Sequence, residues 1–195
     1  MNFTHLSQRI KQSPPVEFGA VFNSSVELFQ KVWLQGFVTV VLTFVSILPF
    51  YLLIYLPMIA MGISDPDVFE HQGMPPVFAG LMTVIMPFVM VGVMTVAICL
   101  NAAFLRICRK YDLNESGRDD YFYYFKKVYL TKALIVSLIM IGLSFLGILA
   151  CGLGIIYLVV PMSLFPAFFA FDRVLSALDI VKVSFALGNK NWLMI

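Results

Sequence analysis

The chain has 195 residues, of which 61% are hydrophobic and 12% are charged, and its mean hydropathy is +0.92. Soluble domains carry roughly 25% charged residues, so this chain has too few polar residues to cover a water-facing surface. A net charge of +2 is too small to indicate a nucleic-acid partner. The composition therefore predicts an integral membrane protein whose apolar surface is covered by lipid.

The first 33 residues are predicted to precede the membrane. Residues 1–15 are polar, without periodicity and without the features of a signal peptide, so we expect a cytoplasmic tail. Over residues 16–33 apolar and polar side chains occur at helical spacing. Glu27 and Lys31 stand four apart, in the order that favours a helical ion pair. The pattern predicts an amphipathic helix in the membrane interface that leads into the first span.

Two long charge-free runs, residues 32–64 and 72–105, each exceed the about 20 residues that one membrane span needs. Within the first run, Pro49 and Pro57 are expected to kink or end the helix, because proline removes a backbone donor. We predict the first span over about 34–57 and the second over about 77–105.

A third charge-free run, residues 133–171, has 39 residues. A single helix of that length would measure about 60 Å, twice the thickness of the hydrocarbon layer. Gly147, Gly152 and Gly154 lie near the middle of the run. The sequence therefore predicts two short antiparallel spans, 133–150 and 153–171, with small residues at their contact.

The remaining residues predict a second amphipathic interface helix over 173–188, because Gly188 and Asn189 are typical of a helix end. Residues 191–195 are apolar again, and we expect them to begin a further, truncated span. Residues 16–195 are thus predicted to form one all-α membrane domain, a polytopic helical bundle.

Four crossings place all 13 Lys and Arg residues on one side of the membrane, seven of them in the stretch 106–132. Because cytoplasmic loops carry the excess of Lys and Arg, we predict a cytoplasmic N-terminus and a central cytoplasmic loop over 106–132. In that loop, residues 118–125 are expected to start a helix, with their aromatic side chains lying flat at the interface.

A nine-residue pattern, S-x-x-L-x-x-K-x-W, occurs at residues 25–33 and 184–192, and a weaker version occurs at 125–130. Interface physics alone favours Lys and an aromatic residue before a span, since Lys snorkels and Trp anchors. The alternative is a duplicated unit of interface helix and membrane hairpin.

No Asp, Glu, Lys, Arg or His lies within the predicted spans. Ionisable residues at membrane depth mark proton relays and ion paths, so we expect no catalytic residue, metal ligand or cofactor site and no enzyme activity. Asn101 is the single amide well inside a span; it could line a pathway, bond between helices or simply pack.

Lys, Arg and Trp at the cytoplasmic ends of the spans are the candidate contacts to the interface and to anionic headgroups, although topology alone requires the same basic residues. They are Lys31, Trp33, Arg106, Arg109, Lys110, Lys126, Lys127, Lys132, Lys190 and Trp192.

Two functional hypotheses follow. The first is a non-enzymatic membrane protein that engages lipid, a membrane protein partner or a second copy of itself through a basic cytoplasmic face. The second is a channel or transporter for a small apolar or lipidic substrate. It would need an open cavity at mid-depth, lined by Asn101 and by the backbone at Pro87 and Pro161.

Residues 165–192 combine a proline-bearing span, an acidic residue, an amphipathic helix, and then Asn and Trp before a new apolar run. Over residues 119–192 the chain resembles uncharacterised bacterial multi-pass inner-membrane proteins related to the membrane domain of glycerophosphodiester phosphodiesterases. The aromatic-rich segment 119–127 is similar to relatives in Bacteroidetes. The resemblance implies a helical membrane fold and an inner-membrane location, and it implies no activity.

Overall fold

The computed structural model describes residues 10, 18–62, 75–150, 152–171 and 175–190. Within these ranges the chain is helical and contains no strand. The helices are α1 (Phe18–Ala60), α2 (Pro76–Asp112), α3 (Lys127–Leu149), α4 (Leu153–Ser163), α5 (Phe165–Phe171) and α6 (Ala177–Lys190), with a short 3₁₀ turn at Tyr123–Phe125.

Four helical segments are long and apolar enough to cross a membrane. They are Gly19–Ala60, Pro76–Asp112, Lys127–Leu149 and Gly154–Phe171, the last of which comprises α4 and α5. The predicted all-α class and the four spans are confirmed, and we treat the chain as a multi-pass integral membrane protein.

The helices α1 and α2 form the first hairpin. Phe104 lies against Gly36 near one end, and a Cβ atom on Gly36 would lie 3.4 Å from the Phe104 ring. At the other end Met58 packs with Phe78 and Met82 in a small buried cluster. The predicted ion pair between Lys31 and Glu27 is present on α1, at 3.4 Å.

The helices α3 and α4 form the second hairpin, as the glycines predict. Gly152 adopts the left-handed conformation, with φ at 78°, which a residue without a Cβ atom reaches at little cost. Gly147 and Gly154 lie where the two helices cross. A Cβ atom on Gly154 would lie only 3.0 Å from the Gly147 Cα atom, so the backbones meet almost directly.

The main core joins α2, α3, α5 and α6 at the end of the bundle that carries the basic residues. Its buried side chains include Val136, Phe165 and Ile180, each 0% exposed. Deeper in the bundle, Thr95 on α2 and Ser137 on α3 share a hydrogen bond of 2.9 Å between their hydroxyl groups. Because lipid offers no partner for hydroxyl groups, this pair helps to fix α2 against α3.

The ends of the helices differ from the prediction in a consistent way. Residues 18–33 are not a separate interface helix, since α1 runs without interruption from Phe18 to Ala60. Likewise α2 continues to Asp112, so the loop between α2 and α3 covers only residues 113–126. Lys and Arg side chains can extend to the surface from a helix end, and the charge-free run therefore marks the edge of the lipid and not the end of the helix.

The second amphipathic helix is observed as α6, and it is not simply an interface helix. Its side chains Ala177, Ile180 and Val183 are buried against the bundle, and a Cβ atom on Gly188 would lie 3.2 Å from the Pro161 Cα atom. Residues 1–9, 11–17 and 191–195, which carry most of the predicted tail and the start of a further span, lie outside the described residues.

Candidate functional site

A polar cleft of about 610 Å³ lies where α2 ends, the loop 113–126 folds back and α5 ends. We call it the basic cleft. Its charged lining residues are five cations and two carboxylates: Arg106, Arg109, Lys110, Arg118, Lys126, Glu115 and Asp120. The structure therefore brings together four of the ten predicted contact residues and adds Arg118.

The loop that closes the cleft is held in place by Tyr124. This side chain is 2% exposed and its hydroxyl donates a hydrogen bond of 2.8 Å to the carbonyl of Ala170 on α5. Its ring lies 5.2 Å from the Phe169 ring, centroid to centroid. The prediction that the aromatic residues of this loop lie flat at the interface is wrong for Tyr124, because the 3₁₀ turn directs this ring into the core.

Two cations share the ring of the neighbouring Tyr123. The Arg106 guanidinium carbon lies 3.6 Å from the ring centroid, and the Lys126 ammonium nitrogen lies 4.6 Å from it. Each contact is favourable on its own, because the face of an aromatic ring attracts a cation. The two like charges nevertheless repel each other, and neither forms an ion pair with a carboxylate in the described part of the chain. An anion bound beside them would remove that repulsion.

Lys110, in contrast, is neutralised within the protein. Its ammonium group forms an ion pair with Asp119 and donates a hydrogen bond of 2.7 Å to the carbonyl of Gly117. The Tyr111 hydroxyl donates to the other Asp119 oxygen at 3.2 Å, and Gln35 Nε2 donates to Tyr111 at 2.6 Å. This network ties α1, α2 and the loop together, so Lys110 has a structural role at the cleft wall.

Tyr121 lies beside the same network. The pKa of the Tyr121 hydroxyl is raised above its ordinary value of 10.0, mainly by partial burial and to a smaller extent by the nearby Asp119 and Tyr111. Burial and a neighbouring negative charge both disfavour the phenolate. The tyrosine therefore stays neutral and adds no negative charge next to the basic cleft.

Several predicted contact residues lie elsewhere. The Arg109 guanidinium is 5.6 Å from the Phe171 ring in the cleft, whereas the Lys132 ammonium is 5.8 Å from the Phe169 ring and does not line the cleft. Lys190 donates to the carbonyl of Ile10, which brings residue 10 to the end of α6. The others do not gather at one place: Lys31, Trp33 and Lys127 are exposed at separate positions on α1 and α3, and Trp192 lies outside the described residues.

Two apolar grooves also lie on the described part of the surface. One of about 560 Å³ lies between α1, α2 and α3 and is lined almost entirely by aliphatic and aromatic side chains. The other, of about 410 Å³, lies between α1 and α2 and includes Asn101. Pro87 and Pro161, which the transporter hypothesis expected to line its cavity, line neither of these grooves, and Pro161 packs against Gly188. The polar segment between the first two spans contains Asp65, Asp67, Glu70 and His71, and it lies outside the described residues.

No protein-family model matches the chain, and neither a curated protein nor a solved structure gives a significant match. Function is therefore inferred from the geometry of the basic cleft and from the distribution of charge along the chain.

Proposed function

We propose that this protein is a non-enzymatic integral membrane protein that binds anionic, phosphate-bearing lipid headgroups in the basic cleft. The observation that carries the proposal is the pair of cations, Arg106 and Lys126, that share the Tyr123 ring without a carboxylate partner in the described residues.

The surroundings of the pair suit a phosphate group. Arginine presents a planar fork of N–H donors that matches phosphate oxygens in a bidentate arrangement. Arg109 belongs to the last turn of α2, where the partial negative charge of the helix end stabilises cations. Phe171, the last residue of the fourth candidate span, also lines the cleft, which supports an opening near the depth of lipid headgroups.

The charge distribution supports an orientation. Four crossings leave every Lys and Arg residue on the same side, which by the positive-inside rule is the cytoplasm. Together with the resemblance to bacterial inner-membrane proteins, this supports a location in the bacterial cytoplasmic membrane with the N-terminus inside. Reporter fusions at the N-terminus and in the loop 113–126 test it, since both reporters must give a cytoplasmic signal.

The binding proposal is tested by measuring lipid retained by the purified protein in native mass spectrometry. We expect phosphatidylglycerol to be retained in preference to phosphatidylcholine, and the preference to fall as salt is raised. Replacing Arg106→Gln and Lys126→Gln together should reduce the preference by at least about tenfold, because the loss of even one charge-assisted hydrogen bond costs about 1.5–3 kcal/mol.

The control is the double variant Lys31→Gln and Lys127→Gln, which also removes two positive charges, from exposed side chains that do not line the cleft. If this control reduces the preference as much as the cleft variant, the binding is a general effect of charge and the cleft is not a site. Absence of any preference in the unaltered protein would reject the proposal outright.

The second candidate function is transport of a lipidic substrate, and the groove of about 560 Å³ between α1, α2 and α3 favours it. This groove lies at mid-depth and is open between helices, as a path for an acyl chain would be. Transport predicts that vesicles containing the protein move fluorescent phospholipid between leaflets, and that Val93→Phe, which fills the groove, slows this movement. Vesicles that show no movement above protein-free controls would remove this candidate.

A further inference from the structure

Asn101 is an exposed amide on a membrane-spanning helix, and its side chain has no hydrogen-bond partner in the described part of the chain. An unpaired amide is costly in hydrocarbon, because lipid tails offer neither donors nor acceptors. A group that the described residues do not supply must therefore meet the amide. The position of Asn101 shows which group that is.

The depth of Asn101 follows from the contact between α2 and α3. Thr95 and Ser137 are hydrogen-bonded and therefore lie at the same depth. Asn101 lies six residues further along α2, roughly 9 Å towards the basic end, and Lys132 lies five residues back along α3, roughly 7.5 Å in the same direction. Asn101 is thus level with a charged lysine at the start of an apolar run. That level is the boundary between hydrocarbon and headgroups, where the ester groups of phospholipids are found.

Asn101 also lies in a groove that crosses the ester level and ends within one leaflet. The contact between Gly36 and Phe104 puts Asn101 level with about residue 39 of α1, and on α1 the groove extends from Phe29 to Thr43. It therefore ends about 6 Å past the amide, within the hydrocarbon of one leaflet, which is about 15 Å thick. On α2 the groove reaches only as far as Ala97. A partner helix would cross both leaflets, so it would need a groove that continued past this point.

The groove offers few polar groups besides the amide. The hydroxyls of Thr39 and Thr43 donate to backbone carbonyls of α1, each at 2.8 Å. Trp33, at 58% exposure, lies towards the headgroup end, where indole rings are favoured. The Asn101 N–H groups are consequently the donors left for a ligand at the ester level.

We propose that this groove is a binding site for a glycerophospholipid, in which an ester carbonyl accepts a hydrogen bond from the Asn101 amide. One acyl chain then lies along Val40, Thr43 and Ala97 towards the middle of the bilayer. The site recognises the glycerol ester and not the headgroup charge. It shares no lining residue with the basic cleft and does not depend on the function proposed above.

The test uses the full chain in vesicles containing phosphatidylcholine with a photoreactive group on one acyl chain. After illumination, labelled peptides are mapped by mass spectrometry, and we expect label on the segment that contains Val40 and Thr43. Asn101→Leu should reduce that labelling about threefold to tenfold, the range expected for one hydrogen bond made at membrane depth. Asn101→Gln keeps the amide and should retain at least half of the labelling.

Two further variants make the result specific. Thr83→Leu replaces another exposed polar residue of α2, far from the groove, and should leave the labelling unchanged. Ala97→Phe keeps the amide but fills the groove and should abolish the labelling. The Arg106→Gln and Lys126→Gln double variant should lose any preference for anionic lipid and keep the label in the groove, which separates the two sites.

The proposal is overturned if Asn101→Leu and Ala97→Phe label as strongly as the unaltered chain. It is also overturned if Asn101→Cys forms a disulfide-linked dimer in high yield under oxidation while the unaltered chain takes up no label. That second result would identify a copy of this chain, and not a lipid, as the partner of the amide.

Discussion

The two hairpin glycines on α3 and α4 make a direct test of the packing, because they contrast with a third glycine on α3. A Cβ atom added to Gly154 would lie 3.0 Å from Gly147 Cα and 3.1 Å from Ala150 Cβ, which is tighter than nine in ten real Cβ contacts. A Cβ atom added to Gly142 would meet nothing within 4 Å. The same substitution, glycine to alanine, should therefore change stability in opposite directions at the two positions.

The magnitudes follow from two opposing effects. Alanine in place of a helical glycine stabilises by up to about 1 kcal/mol through its better helix propensity, and Gly142→Ala receives this benefit alone. Overpacking costs about 1–3 kcal/mol where the neighbours cannot move. At Gly154 the neighbours are largely backbone atoms, which cannot move easily, so the full overpacking cost applies. Once the gain in helix propensity is subtracted from this cost, Gly154→Ala should destabilise by about 1 kcal/mol. The two variants should differ by about 2 kcal/mol.

The measurement is reversible unfolding of both variants and the unaltered chain in mixed detergent micelles, followed by circular dichroism. The closely packed hairpin is the reason for the difference, so an equal effect of both substitutions, in either direction, would refute the reasoning. A further check is the double variant, whose two changes lie apart and should add.

Three other predictions concern the core and the loop. Tyr124→Phe should destabilise by about 1–3 kcal/mol in the same unfolding assay, because it leaves the Ala170 carbonyl at the end of α5 without its donor; an unchanged stability would show that another donor replaces the hydroxyl. A double-mutant cycle of Thr95→Ala and Ser137→Ala should give a coupling energy of about 0.6–1.7 kcal/mol, and zero coupling would contradict their hydrogen bond. The pKa of Tyr121 is raised in the folded chain, so its contribution to stability is fully present below its ordinary pKa of 10.0 and is lost as the pH rises through the folded value. Tyr121→Phe should therefore reduce the loss of stability at high pH. An unchanged dependence of stability on pH would refute the raised pKa of Tyr121.

The positions of the spans could be predicted because they depend on length and charge. The run 133–171 was too long for one crossing, and the structure divides it as predicted, with α3 ending at Leu149 and α4 beginning at Leu153. The ends of the helices could not be predicted in the same way. No proline stands between residues 18 and 48 to separate an interface helix from a span, and the polar face of residues 16–33 did not show that α1 continues.

The sequence predicted which residue types the candidate sites contain, but it did not predict how those residues are arranged. The stretch 106–132 already showed a concentration of Lys and Arg. The 3₁₀ turn decides which of these cations meet, because it buries Tyr124 and leaves Tyr123 beside Arg106 and Lys126. The sequence of the aromatic run has no periodicity that shows which ring is buried. Asn101 was visible as an amide in a span, but its exposure depends on how α1 lies against α2, which requires tertiary contacts.

The bond between the Tyr124 hydroxyl and the Ala170 carbonyl also sets an order of events during biosynthesis. Its two partners are 46 residues apart in the chain. A ribosome adds about 5–20 residues per second, so roughly 2–9 s pass between the synthesis of the loop and the synthesis of its acceptor. During that interval the Tyr124 hydroxyl lacks its acceptor, the Ala170 carbonyl, and the loop that forms the wall of the basic cleft is not held in place. The cleft is therefore completed only after the fourth span has been made, so a chain that stalls before α5 would insert its first three helices without acquiring the site.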